Sequence, residues 1–450
     1  MDFFPGNPGG FPGNPPPGFP GNPPQNFPGN PPPNPDARAQ AEAAQQAARI
    51  AQLEQNFRDA QGRINQQNLE LKINKEHILS LTKRDLSLSF AHSREWVFEK
   101  FLGNGTYGVT ALLRDRDPLS NRHHKRVVLK RSLAVQGNKD LLNEIIMLKL
   151  MRGNAHHAQI ITSTDDVANY RRKPRPMVIR VMRRFLDLFQ IGLFSNPPKN
   201  VFRTLSISDG PALLMEYLEG GDLLHMMERQ NRLNLRLPNR ILWSFFLCLV
   251  RASVGLSYPK QGGVDAPQEL EEVKGEEKGI LHGDLFPRNI MIGSVENDVP
   301  EHVTIPRLKL IDFGMAVEAS GGRQAIAAAR NNLSVAELMI TLITRNPFVF
   351  DLKFTGEYEG ILTGATPIIS AGAPYGGALP FPRLDRDLRL LLVECLNVVE
   401  ADRPPMDQLL RRARLGAAKP VSAYPILDIE ESDRYINETL TRLVYAPEEI

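Results

Sequence analysis

Through residues 43–81, a three-four spacing runs along Ala43, Gln46, Ile50, Leu53, Phe57, Ala60, Ile64, Gln67, Leu71, Asn74, Ile78 and Leu81. Such spacing gathers one face of an α-helix, and its persistence over several turns resembles a coiled-coil seam. Polar residues at Gln46, Gln67 and Asn74 and a break at Gly62 weaken that seam. Two arrangements follow: self-association through residues 43–81, or a single long helix folded back on the rest of the chain. Beyond it the period shortens. "WVFEKF" from Trp96 and "RVVLK" up to Lys130 read as strands, whereas "NKDLLNEIIMLKLM" reads as a helix. "ILWSFFLCLVRASVGL" from Ile241 is apolar on every side, as a buried core helix is; it is short for a membrane span and carries Arg251.

Composition divides the chain. Residues 1–36 repeat "FPGNP" from Phe4, Phe11, Phe19 and Phe27, and a stretch built of Pro, Gly and Asn cannot form a packed core, so this tail is expected to be disordered. Residues 37–85 form the long helix or coiled coil, and residues 92–417 a globular domain with inserts at about 162–210 and 260–279. An acidic tail, 418–450, carries a short helix near Arg434 to Val444. The first insert contains "RRKPRP" and then a segment with Arg180, Arg183, Arg184, Asp187 and Gln190 on one helical face. Packing on its own domain or surface contact with an anionic membrane through residues 171–194 would each satisfy it.

With 54 basic and 51 acidic residues the net charge is only +3, so no global field argues for nucleic acid, and none is expected as a partner. Two cysteines, Cys248 and Cys395, lie in apolar runs, which suits reduced thiols. The start "MDFFPGNPGG" lacks the basic and apolar pattern of a secretory signal, and an intracellular location, cytoplasm or nucleus, is expected.

Candidate chemistry begins at "FLGNGTYGVT", where Gly103, Gly105 and Gly108 follow a strand and are followed by another strand-like run and the charged turn "RDRD". Glycines let backbone amides approach phosphate, and the second strand argues against the strand-to-helix turn of a dinucleotide site. Lys130 ends the next strand, and Glu144 sits in the following helix, where charge pairing could fix the lysine against phosphates. Each could instead be a solvated surface charge. Farther on come "PALLMEYLEGGDLLHMM", "ILHGDLFPRNIMIG", "LKLIDFGMA" and "CLNVVEADRPPMDQLL".

In this order, over about Trp96 to Ala417, these motifs resemble the protein kinase superfamily. The resemblance implies an α+β, bilobal fold with a small β-rich N-terminal lobe and a large, mostly helical C-terminal lobe. It implies an ATP- and Mg²⁺-dependent transfer of the γ-phosphoryl group to a protein hydroxyl, Ser or Thr sooner than Tyr, on a protein substrate the sequence does not identify. By the same resemblance Lys130 holds the α and β phosphates, Glu144 pairs with it, and Glu216 and Leu218 meet the adenine edge with Met215 behind. Asp222 contacts ribose and Met291 floors the adenine. Asp284 is the catalytic aspartate, and Asn289 and Asp312 are the Mg²⁺ ligands.

The departures concern charge. His282-Gly283-Asp284 stands where the family has His-Arg-Asp, no Ala-Pro-Glu follows Asp312, and Asn331 replaces an aspartate at the head of "NNLSVAELMITLIT". Arg403, matched to the arginine that normally pairs with that Ala-Pro-Glu glutamate, needs another partner or faces solvent. Phe286 replaces the catalytic-loop lysine, and Arg288, placed as in tyrosine-kinase loops, is expected to supply the missing charge. Two other readings remain open: a nucleotide-binding pseudokinase that serves as an oligomeric scaffold, and a small-molecule kinase of the aminoglycoside or choline kinase type, which shares His-Gly-Asp.

Overall fold

The computed structural model describes residues 95–104, 108–117, 125–132, 137–164, 211–263, 266–347, 354–369, 379–424 and 429–445, with scattered positions between 52 and 93 and at 119. The tail 1–36, nearly all of the 43–81 stripe, Gly105 and the 171–194 stretch lie outside the described residues. Residues Met1–Asn74 form one compact unit, of which Gln52 and Gln55 are described, both helical. Lys75–Ile450 forms the other.

That second unit is α+β. Strands β1 (Trp96–Asn104), β2 (Gly108–Asp115), β3 (Arg126–Ser132), β4 (Ile160–Ser163) and β5 (Ala212–Glu216) make one antiparallel sheet in the order β1-β2-β3-β5-β4. Successive strand residues point to opposite faces. Val127 and Leu129 accordingly join a core with Trp96, Ala212 and Leu214 on one face, while Val128, Leu213 and Met215 join the main core on the other. Leu86 and Phe90, in a stretch helical at every described position from 80 to 91, are buried in the first of these cores. The helical segment therefore runs past residue 85 and its last turns pack on the sheet.

Helix α1 (Gly137–Leu150) crosses the main-core face of the sheet. Leu141, Ile145 and Leu148 are fully buried at helical spacing, and Glu144 lies on the same stripe. The following part of the unit is mostly helical: α2 (Leu223–Arg232), α3 (Asn239–Ser257), α4 (Gln324–Thr344), α5 (Arg386–Cys395), α6 (Met406–Ala417) and α7 (Asp433–Leu440). Both α3 and α4 are long and apolar enough to cross a membrane, yet 94% of the apolar stretch of α3 is buried inside the protein, where it packs against α4 and α6. Its Arg251 is neutralised by Glu301.

Two spans differ from the sequence reading. Helix α4 opens at Gln324, not at Asn331, because "QAIAAAR" is strongly helix-forming and the chain is broken only at Gly321 and Gly322, both at positive φ. The stretch after residue 418 is part of the body: Ile436, Leu440 and Leu443 enter the main core, and buried Glu431 accepts the backbone N–H groups of Asn239 and Arg240. The small hairpin of β7 (Ile290–Ile292) and β8 (Leu308–Leu310), and the pair β6 (Ile280–Leu281) and β9 (Val317–Glu318), carry the loops described next.

Candidate active site

Alternation along β3 turns Lys130 toward α1, where Nζ lies 2.7 Å from Glu144 Oε2 and 3.1 Å from Asp312 Oδ1. Burial pulls the lysine pKa down, but the two carboxylates outweigh it and hold Lys130 above its ordinary value. Burial raises Glu144, only partly opposed by Lys130. Asp312 is also penalised by burial, but Lys130 and the Gly314 N–H hold it below the usual carboxylate range. Three distant stretches thus converge on one ammonium group.

Asp312 follows β8 and adopts a left-handed conformation (φ 63°), one that aspartate tolerates better than most residues. The turn behind it is held by Asn143, whose amide donates to the carbonyls of Ala316 (2.8 Å), Gly314 (3.2 Å) and Phe313 (3.4 Å). Sequence reasoning missed Asn143. A polar residue beside Glu144, within the run Leu141 to Leu148 that is otherwise apolar, was the signal. Phe313 is buried, edge-on to His282 at 5.0 Å between ring centroids.

The segment joining β6 to β7 brings Asp284, Arg288 and Asn289 together. The Asn289 amide donates to the Asp284 backbone carbonyl (2.9 Å) and to Oδ2 (2.8 Å), and Arg288 Nη2 donates to Oδ1 (3.0 Å) and Oδ2 (2.8 Å). Asn289 also accepts the Ile311 N–H at 3.0 Å, which places this loop beside the stretch ending in Asp312. His282 Nε2 donates to the Ile311 carbonyl (3.1 Å), and burial lowers its pKa to about 4, so the ring is neutral. Asn331, at the middle of α4, accepts the His282 N–H (3.2 Å) and donates to the Ile280 carbonyl (2.7 Å), fixing the loop from below. Gly283 has φ 81°, and a Cβ there would stand 2.9 Å from the Met315 carbonyl oxygen. A side chain is excluded by the close passage of the turn after Asp312.

Other sequence-selected residues fall around this centre. Gly103 is exposed with open space about it, while a Cβ on Gly108 would lie 2.3 Å from the Arg131 carbonyl oxygen, so packing of β2 on β3 requires glycine there. The Leu218 backbone makes no hydrogen bond among the described residues. Glu216 directs its carboxylate to Lys309 (2.7 Å) and the Gln159 N–H (2.7 Å). Asp222 caps α2 through the His225 N–H (2.9 Å) and meets the His225 ring at 2.6 Å, so both of its oxygens have protein partners. Its backbone bridges to Met291, which is packed on the main core. Arg403 donates to the Asn397 carbonyl (2.9 Å), and its charge acts on Glu337 of α4.

The site offers an anchored ammonium, a half-buried carboxylate beside it, and a second carboxylate gripped by a guanidinium. Asn289 commits its NH₂ to Asp284, which leaves its amide oxygen, like the Asp312 carboxylate, as a hard oxygen of the kind Mg²⁺ prefers. No protein-family model matches the chain, and no curated protein matches it in sequence.

Proposed function

We propose that this chain is an ATP- and Mg²⁺-dependent phosphotransferase of the protein-kinase type, acting on a protein hydroxyl. The observation that carries the reading is Lys130 held between Glu144 and Asp312. In that position Lys130 grips the α and β phosphates, with Glu144 fixing its stem. Asp312 and the Asn289 amide oxygen would hold Mg²⁺, which would supply charge neutralisation to the phosphates. Asp284 orients the acceptor hydroxyl and takes its proton, and Arg288 stabilises charge on the transferred group. The unpaired Leu218 backbone suits the adenine edge, with Met291 beneath.

A second reading, a nucleotide-binding scaffold of low turnover, draws on Asp284 itself. Its Oδ2 accepts from both Arg288 and Asn289 and its Oδ1 from Arg288, so both oxygens already hold protein donors where an acceptor hydroxyl would have to bind. One experiment separates the two. ATP labelled at the γ-phosphate is offered with Mg²⁺ to protein, amino-alcohol and aminoglycoside acceptors, alongside nucleotide-induced thermal shift. Label on protein, abolished in Asp284→Asn and Asp312→Asn, supports the kinase. Label only on a small acceptor moves the assignment to small-molecule kinases, a thermal shift without transfer supports the scaffold, and neither result sinks the nucleotide site.

A further inference from the structure

We propose that His156, Cys248 and His302 form a buried zinc site that pins the strand leading to Asp312. His156 precedes β4, Cys248 lies in the middle of α3, and His302 ends a single 3₁₀ turn between β7 and β8. Their donor atoms all lie within 4.8 Å of one another, and the three side chains are 0%, 0% and 1% exposed.

Unmet bonding capacity points to a ligand. His156 Nε2 and both ring nitrogens of His302 are buried without a hydrogen-bond partner among the described residues. His302 approaches the Ile305 carbonyl, but outside hydrogen-bond geometry. Buried polar atoms are rarely left so, and a metal is one of the few groups that could take both His156 Nε2 and one ring nitrogen of His302. His156 is also oriented as metal-binding imidazoles are. Its Nδ1 meets Glu271 Oε2 at 2.6 Å, and its backbone N–H donates to Oε1 at 2.7 Å, so the proton is held on Nδ1 and Nε2 keeps its lone pair.

The surrounding charge suits a dication. Arg251 and Arg307 face the cluster and oppose a cation, but Arg251 is paired with Glu301 and bonded to the Glu271 carbonyl, and Arg307 is paired with Glu296. With Glu271, the two guanidinium groups face three carboxylates. One dication and one thiolate bring the whole set to neutrality, and binding releases the Cys248 proton to solvent. Imidazole and thiolate select zinc over magnesium or calcium. Tetrahedral zinc bonds of about 2.0–2.3 Å place neighbouring donors about 3.5 Å apart, so the side chains need close by about 1 Å.

The site touches the proposed catalytic centre through the backbone. The Leu310 N–H donates to the His156 carbonyl (2.9 Å) and its carbonyl accepts from Ala158 (3.0 Å), two residues before Asp312. The zinc assignment is nevertheless independent of the phosphotransferase reading, since its test reads metal and not turnover.

The full-length chain is purified without chelator, dialysed against zinc chloride and then against metal-free buffer, and its metal content is measured by mass spectrometry. One zinc per chain is expected, falling at least tenfold in His302→Ala and Cys248→Ala. Cobalt(II) in place of zinc gives a thiolate charge-transfer band in the near ultraviolet, kept in Cys395→Ala and lost in Cys248→Ala. If the cluster variants fail to fold, the native chain and Cys395→Ala decide together: the band in both supports the site, and its absence from either overturns it. Zinc retained in a folded Cys248→Ala, or a native chain that takes up neither metal, also overturns it.

Discussion

The guanidinium of Arg288 lies over the ring of Phe286, 4.8 Å from its centroid, and donates to both oxygens of Asp284. Under the proposed function Phe286 stands where a protein kinase carries its catalytic-loop lysine, and the same ring would shelve the cation that takes over. Stacking of this kind at a partly exposed site contributes about 0.5–1 kcal/mol to the guanidinium's placement. Under the proposed function, Arg288→Ala lowers kcat by about 10²–10³ while the KM for ATP stays within about threefold. Phe286→Lys in the Arg288→Ala background recovers part of that loss. Steady-state kinetics on the three proteins checks both; unchanged turnover in Arg288→Ala would remove Arg288 from the mechanism.

Gly283 stands where neither a Cβ nor a larger side chain fits. A non-glycine residue at φ 81° pays left-handed strain, and its Cβ would collide with the Met315 carbonyl. Gly283→Ala is expected to destabilise the chain by about 1–3 kcal/mol, and Gly283→Arg by no less. Gly103→Ala, with open space around the Cβ, serves as the control. Urea unfolding midpoints measure the difference, and equal midpoints for the two alanine variants would contradict the packing argument.

Much of this centre was legible in the sequence because its parts are local. The β-branched run that ends at Lys130, the helix bearing Glu144 and the short motifs around Asp284 and Asp312 each carry their own signal. What was not legible depends on chain segments meeting. Asn143 gains its role only when the turn after Asp312 packs against α1, and Gly283 its steric necessity only from Met315. His156, Cys248 and His302 have no metal-site spacing at all, and only the crossing of α3 by two loops brings them together. Asp222 is legible as a helix cap from the apolar run it precedes, and the structure has it capping α2.

Asn331 makes the opposite point about family residues. It donates to the Ile280 carbonyl and accepts from the His282 N–H, a pairing that needs one donor and one acceptor. Asn331→Asp places an acceptor against a buried carbonyl, with an expected cost of about 1–3 kcal/mol, although aspartate is the residue the resemblance to protein kinases would put there. A thermal or urea midpoint unchanged by Asn331→Asp would show that the side chain is not bonded in this way.

The folded chain keeps His282 at about 4, by burial, against about 6.5 when unfolded. Between these values the unfolded chain takes up a proton that the native ring refuses. The contribution of His282 is therefore complete above about pH 6.5 and declines as pH falls toward 4, by up to about 3 kcal/mol. Unfolding free energies measured near pH 7.5, 6 and 5 should fall less steeply in His282→Gln, by about one proton's slope, or about 1.4 kcal/mol per pH unit. Parallel profiles would mean that His282 titrates normally in the native state.

Lys130 can be divided into its structural and its chemical part. Glu144 is 2% exposed, and its Oε1 has no partner, so Lys130 Nζ is its principal neutralising contact. Lys130→Met leaves that carboxylate buried and uncompensated, with an expected loss of about 3–5 kcal/mol. Removing the stranded charge as well, in Lys130→Met with Glu144→Leu, should return most of the stability, because an apolar pair of similar volume replaces an ion pair at little cost. Asp312 remains partly solvated in both variants and adds less. Nucleotide binding should not return with stability, since the phosphate-gripping ammonium is still missing. Denaturant midpoints and ATP-dependent thermal shift on the same samples test the two halves. Recovery of both in the double variant would mean that Lys130 serves the fold alone, and recovery of neither would mean that the pair is not the centre of the site.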